Sequence, residues 1–336
     1  IAARTPVGAT AEGTAAAIRA GISRVAAHDF MVDPVGDELY CACDPELAPT
    51  LFGVGRIIQL VSFALEEMIE KLAASQLLVP AISVLLALPE LRPGFGDLQR
   101  LQLRHALEAL DLGVALQFEF FCEGHAGALH ALKVAMQRLR TKTPGAIIIT
   151  GGVDSYLEAD TIDWLDAEQL LARSGRRSGM PPGEGAVLLA LTSDASRRAH
   201  KLPLLATCLG SGLSVEARKR VSAEGLLGEG LSRAVLAALE SATVPTDVYC
   251  DINGERWRVD DWGFAVLRCS ERLGHGTNYT TGTSSVGDLG AASGALGCML
   301  AAQAGQRGYA RGRYALVCGS SWSGQRAAIL LEPRGR

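Results

Sequence analysis

One stretch brings a nucleophile, a titratable ring and a helix start within a few residues. In "FEFFCEGHAGALHAL" (118–132) an apolar run ends in Cys122, Glu-Gly-His-Ala-Gly follows, and a helical pattern begins. Leu129, Leu132, Met136 and Leu139 then recur three, four and three residues apart. A cysteine at the start of a helix meets the partial positive charge of the free N–H groups, which favours its thiolate. His125, in the first turn, is placed to pair with that thiol. Each residue has a plainer reading. Cys122 is otherwise a small apolar residue that finishes a buried strand, and His125 a hydrogen-bonded turn histidine. Asp154, after Gly151-Gly152, reads as a turn residue that binds backbone amides.

The chain has eight cysteines, most in apolar surroundings, as expected for free thiols of a reducing compartment. The pair Cys41-Ala-Cys43 lacks the spacing of a zinc knuckle and no second pair follows, so no metal site is expected. Net charge is −4 with both signs interspersed, which argues against a nucleic-acid partner. Two basic clusters, 172–179 and 216–220, suit either an acidic protein partner or ordinary solvated faces. No apolar run reaches the ~18–20 residues of a membrane span. No secretory signal pattern is read, and a cytoplasmic location is expected.

Elements must hold the Cys122 stretch in place, and their pattern is alternating. Helices are expected at 8–20, 56–72, 98–110, 124–140, 226–239 and 290–304. In the second of these Ile57, Leu60, Val61, Ala64, Leu65 and Met68 share one face. Strands are expected at 81–88, 114–121, 146–150, 186–191, 206–210, 247–252, 314–318 and 327–331. The strand at 146–150 is expected to end at Gly151-Gly152, and that at 206–210 to run out into Gly-rich sequence. This alternation is an α/β architecture, divided most economically into two halves near residue 195.

Motifs in order along the chain resemble the thiolase superfamily, its β-ketoacyl synthase branch most of all. "TPVGATAEGTAAAIRAGIS" (5–23) is similar to the family's opening strand-loop-helix, and the strand, cysteine and helix at 117–139 to its nucleophile turn. "AIIITGGVDSYL" (146–157), "MPPGEGAVLLAL" (180–191), "SSVGDLGAASGALG" (284–297) and "GSSWSGQRAAILLE" (319–332) resemble further family segments. The resemblance implies a thiolase-like five-layered αβαβα fold of two pseudo-symmetric halves, 1–195 and 196–336. It also implies a homodimer joined edge to edge through a strand of the first half, with 146–150 as the candidate strand.

The family's chemistry is acyl transfer. A cysteine takes an acyl group from a coenzyme A or phosphopantetheine thioester, and two histidines, or a histidine and an asparagine, stabilise the oxyanion. By resemblance, Cys122 stands at the nucleophile position, although the alternative glycine spacing would place Phe121 there. Asn253, before Gly254, stands where the first histidine is expected, and is either a hydrogen-bond donor or a turn residue. Asp288 stands at the second. An ionised carboxylate accepts hydrogen bonds and donates none, so it suits a base or a helix cap rather than an oxyanion donor. Glu184 in the Pro-Gly-Glu-Gly-Ala segment is expected to be architectural. No cofactor is expected to be bound permanently, and coenzyme A or phosphopantetheine would enter only as the thioester substrate. Ordinary condensation is expected to be weak or absent. The alternative is a degenerate synthase that serves as a dimeric binding or adaptor protein, with an acyl carrier protein among its partners.

Overall fold

The computed structural model describes residues 1–32, 35–75, 81–141, 145–173, 175–218, 220, 225–239, 244–274 and 278–335. Its strands are Ala2–Arg4 (β1), Val25–Val32 (β2), Glu38–Ala42 (β3), Ala81–Ala87 (β4), Ala115–Phe121 (β5), Ile147–Ser155 (β6), Glu184–Thr192 (β7), Ala206–Val215 (β8), Asp247–Tyr249 (β9), Tyr279–Thr280 (β10), Ala315–Ser320 (β11) and Gln325–Pro333 (β12). β2 and β3 form a separate hairpin. The others form two five-stranded sheets, ordered β1-β7-β6-β4-β5 and β10-β9-β11-β12-β8.

The second sheet repeats the first. Reading from β5 and from β10, each sheet has two parallel pairings followed by two antiparallel ones. Strands of the first sheet all come from residues 2–192 and those of the second from 206–333. Helices Gly127–Thr141 and Ser293–Gln306 lie between the sheets, in a cluster that joins Val187 and Leu189 of one sheet to Val317 and Ile329 of the other. Helices Val54–Ala74 and Asp97–Glu108 cover the outer face of the first sheet. Helices Glu229–Ala238 and Arg256–Arg268 cover that of the second. The layering is therefore α-β-α-β-α.

Both central helices begin the same way. Each is preceded by a short 3-10 turn, Gly124–Ala126 in one and Gly290–Ala292 in the other. The first residue of each turn has a left-handed φ, +56° at Gly124 and +48° at Gly290, which a residue with a Cβ rarely adopts. The expected helices at 124–140 and 290–304 thus start three residues late in α geometry.

Two expectations about glycine are corrected. The strand expected at 146–150 does not stop at Gly151-Gly152 but continues as β6 to Ser155. A Cβ at Gly151 would run into the Val187 carbonyl, and one at Gly152 into that of Ala291. These glycines permit close approach inside a sheet rather than a turn. Likewise β8 continues through Gly210 and Gly212, whose missing side chains admit the backbone of Ala238 and Ala234. The candidate for the dimer edge is corrected with the first of these. β6 lies between β7 and β4, whereas β5 is the outermost strand at that end of the sheet.

Candidate functional site

The two left-handed turns face one another, and three of the four anticipated site residues meet there. His125 comes from the 3-10 turn of the first half and Asp288 lies two residues before Gly290 in the second. His125 Nε2 is 2.9 and 3.0 Å from the two Asp288 carboxylate oxygens. Asn253, on the loop after β9, donates from Nδ2 to the same carboxylate and, at 3.0 Å, to Glu255. Its Oδ1 accepts from the Glu255 amide at 2.9 Å, and Gly254 has φ +108°. Asn253 is thus both a turn residue and a donor. Asp288 Oδ1 also accepts from the Gly290 amide at 2.6 Å, the job of a cap.

Arg258 completes the cluster from the first turn of helix Arg256–Arg268. Its Nε reaches Glu255 at 2.5 Å, and its Nη1 reaches Asp251 and the Ser320 carbonyl at the same distance. Its Nη2 is 3.1 Å from both ring nitrogens of His125. A position in the ring plane at those two distances would clash with Cε1. The guanidinium therefore lies over the ring face and takes neither lone pair. Trp322 packs edge-on to His125 with centroids 5.8 Å apart, and its Nε1 donates to Glu255 at 2.9 Å. His125, Asn253, Glu255, Arg258 and Asp288 are all buried.

Burial alone would raise the Asp288 carboxyl. The charges of His125 and Arg258 and the Asn253 amide overcome it and hold the group well below the usual carboxylate range. For His125, burial and Arg258 both work against protonation, but Asp288 outweighs them and lifts it above the ordinary imidazole value. Glu255, despite burial, is held below its usual value, chiefly by Arg258. The arrangement is an ion network with its charges paired inside the protein.

Cys122 is turned elsewhere. Strand alternation carries Phe118, Phe120 and Cys122 to the outer face of the first sheet, where the half-buried sulfur packs against the outer hydrophobic cluster. Its polar neighbour is Arg100 Nη1, at 3.9 Å. Phe121 points the opposite way, against Leu85, Ala131, Ala135 and Ile148 beneath the central helix. The bend at 121–125 does reach the junction between the halves, but through His125 rather than through a sulfur.

A second buried group supports the site from below. Asp154 receives Arg92 Nη2 at 2.6 Å and the Ala291 amide at 3.0 Å, so it binds a backbone amide but from within β6 rather than a turn. Glu184 receives the Asp44 amide at 2.7 Å, Arg56 Nε at 2.6 Å and the Ser155 hydroxyl at 2.9 Å, an architectural set. The basic clusters are partly neutralised at home: Arg173 and Arg176 share Asp166, and Arg220 meets Glu168. Ser174 and Lys219 fall outside the described residues. Among the described residues no helix is long and apolar enough to cross a membrane.

Arg258, Glu255 and Trp322 were not anticipated from the sequence. Glu255 and Arg258 stand at i, i+3 in "NGERWR", a spacing that signals an ion pair on a helix start. Nothing local signals that their charge would be directed onto a histidine 133 residues away.

No protein-family profile and no curated protein sequence matches the chain. Solved structures do. The ketosynthase from module 6 of the bacillaene synthase of Bacillus subtilis 168 superposes with TM-score 0.74 and 15% identity over 99% of this chain and 70% of that one. The ishigamide ketosynthase/chain length factor gives 0.75 and 18% over 99% and 98%. A ketosynthase in complex with its chain length factor from Xenorhabdus doucetiae gives 0.76 and 14% over 99% and 96%. The chain has the thiolase-like fold of ketosynthases and chain length factors.

Proposed function

We propose that this chain is a non-condensing protein of ketosynthase fold, a dimeric binding component rather than an acyl-transferring enzyme. One observation carries the reading: the Asp288 carboxylate is paired with His125, Asn253 lies against both Asp288 and Glu255, and the sulfur of Cys122 belongs to the outer cluster. Acyl transfer with carbon–carbon bond formation needs a thiolate within reach of donors aimed at a developing oxyanion. Here the anion already occupies the donors. Opening the network would leave buried charges uncompensated, which costs several kcal/mol.

The binding reading has two kinds of support. β5 offers unpaired backbone N–H and C=O groups along Ala115–Phe121, a template for antiparallel pairing with the same strand of another copy or of a second ketosynthase-fold chain. Similar solved chains include a ketosynthase bound to its chain length factor and one in complex with an acyl carrier protein. By that analogy the partners are a second chain of this fold and an acyl carrier protein.

The opposing reading keeps Cys122 as acyl acceptor from a coenzyme A or phosphopantetheine thioester, favoured by the nearby Arg100 guanidinium. Intact-mass analysis after incubation with acyl-coenzyme A separates the two. The expected result is an unmodified protein with no malonyl-dependent condensation above background, and a dimer by native mass spectrometry. An acyl adduct lost in Cys122→Ala, or a monomer that binds neither a ketosynthase nor a carrier protein, overturns the proposal.

A further inference from the structure

Cys41 and Cys43, set aside above as a zinc site, form a second chemical centre on the hairpin. Residues two apart in extended chain point to the same face, and here the two sulfurs are 3.4 Å apart. Extended backbone puts such residues ~6.6 Å apart at Cα. That lies within the ~4.4–6.8 Å range of disulfides. Cys41 is buried among Leu39, Tyr156, Met180 and Leu171, whereas Cys43 is half-buried at the margin of the same cluster. Both are free thiols.

We propose that Cys41 and Cys43 form a reversible dithiol–disulfide site that small-molecule disulfides oxidise. Cys43 is the attacking sulfur. It is the more exposed of the two, and its contact with Cys41, against burial, holds its thiol below the usual value while raising that of Cys41. The Cys43 thiolate attacks one sulfur of the oxidant, forms a mixed disulfide and releases one thiolate. Cys41 then loses its proton and attacks Cys43 Sγ, displacing the second thiolate. Overall two protein thiols are oxidised to one disulfide, and one disulfide is reduced to two small thiols.

The rest of the chain limits competition. Burial raises the thiol of Cys208 to about 12 and pushes that of Cys250 well up. It also raises those of Cys269, Cys298 and Cys318. Cys122, half-buried, is the rival. The ring closed at 41–43 is tied to the site: the Ala42 amide donates to Pro182, and the Asp288 amide to Pro181, each at 2.8 Å.

The test uses the folded full chain and oxidised glutathione, with free thiols counted by alkylation and intact mass. The expected product has two fewer free thiols and no retained glutathione, is restored by a dithiol reductant, and forms about tenfold faster than any modification at Cys122. Cys41→Ser should trap glutathione on Cys43, and Cys43→Ser should abolish the reaction. A glutathione adduct that persists on wild-type Cys43, an unchanged thiol count, or a disulfide that includes Cys122 overturns the proposal. Should either variant fail to fold, fragment masses of the wild-type peptide spanning 41–43 decide alone. The outcome does not depend on whether Cys122 accepts acyl groups.

Discussion

The turns ahead of the two central helices share a backbone and differ in what they present. Each has a left-handed glycine at the start of a 3-10 turn, and each has a chemically capable residue two positions earlier, Cys122 in one and Asp288 in the other. In the first turn that residue leans outward to Arg100, and the inward position passes to His125. In the second it leans inward and gathers His125, Asn253 and the Gly290 amide. Repetition of fold therefore does not repeat chemistry. Which side chain reaches the junction is decided by strand alternation and by the charge already waiting there.

The sharpest way to break this comparison is to remove the charge that the second turn relies on. Arg258→Ala leaves Glu255, Asp251 and Asp288 short of a buried cation. It should destabilise the fold by roughly 3–5 kcal/mol in urea titration. A loss under 1 kcal/mol would mean that the network is wet and open.

Next come the glycines. Alanine at either position adopts a left-handed φ at a cost of about 1–3 kcal/mol. Gly290→Ala would also drive its Cβ into Asp154 and towards the Tyr156 hydroxyl, whereas Gly124→Ala meets the end of the flexible Glu90 side chain. Gly290→Ala should therefore be the more damaging of the two by thermal melting. Equal losses would remove the asymmetry argued here.

A smaller effect concerns pH. His125 is raised above its ordinary value of 6.5, so its contribution is full below pH 6.5 and fades as pH rises through the raised value. Asp288 is lowered from 3.8, so its contribution is full above that pH and fades in stronger acid. Stability should decline on going from pH 6 towards alkaline solution, and His125→Gln should flatten that decline. A decline of unchanged slope in the variant would assign it to another group. Smallest of all, Cys122→Ala should change stability by less than about 1 kcal/mol, since it removes one half-buried sulfur.

Much of the layering was legible. Apolar periodicity located the long helix Val54–Ala74 and the first central helix, a run of small residues located the second, and the order of short motifs implied the five layers. Glycine misled where it stood inside strands, because a Gly-Gly pair looks the same from sequence whether the chain turns or another backbone passes close by. The hairpin of β2 and β3 and the helix Ala159–Ala167 were not read at all, as neither has a clean period. The site was half legible. Asn253 and Asp288 were found through the family resemblance, at the positions of its two histidines, yet the His125–Asp288 pair spans 163 residues, and no spacing rule reaches that far. The outward direction of Cys122 could have been read from the alternation of Phe118, Phe120 and Cys122.

The helix Ser293–Gln306 is enclosed along nearly its whole length, with Gly294 to Gly305 buried. Such a helix has no solvent-facing side from which to fray in its middle. Its amide protons can meet deuterated water only when the two sheets part, so their exchange should follow global unfolding rather than local opening. That helix is a built-in clock for the integrity of the whole molecule, against which the looser outer helices can be timed.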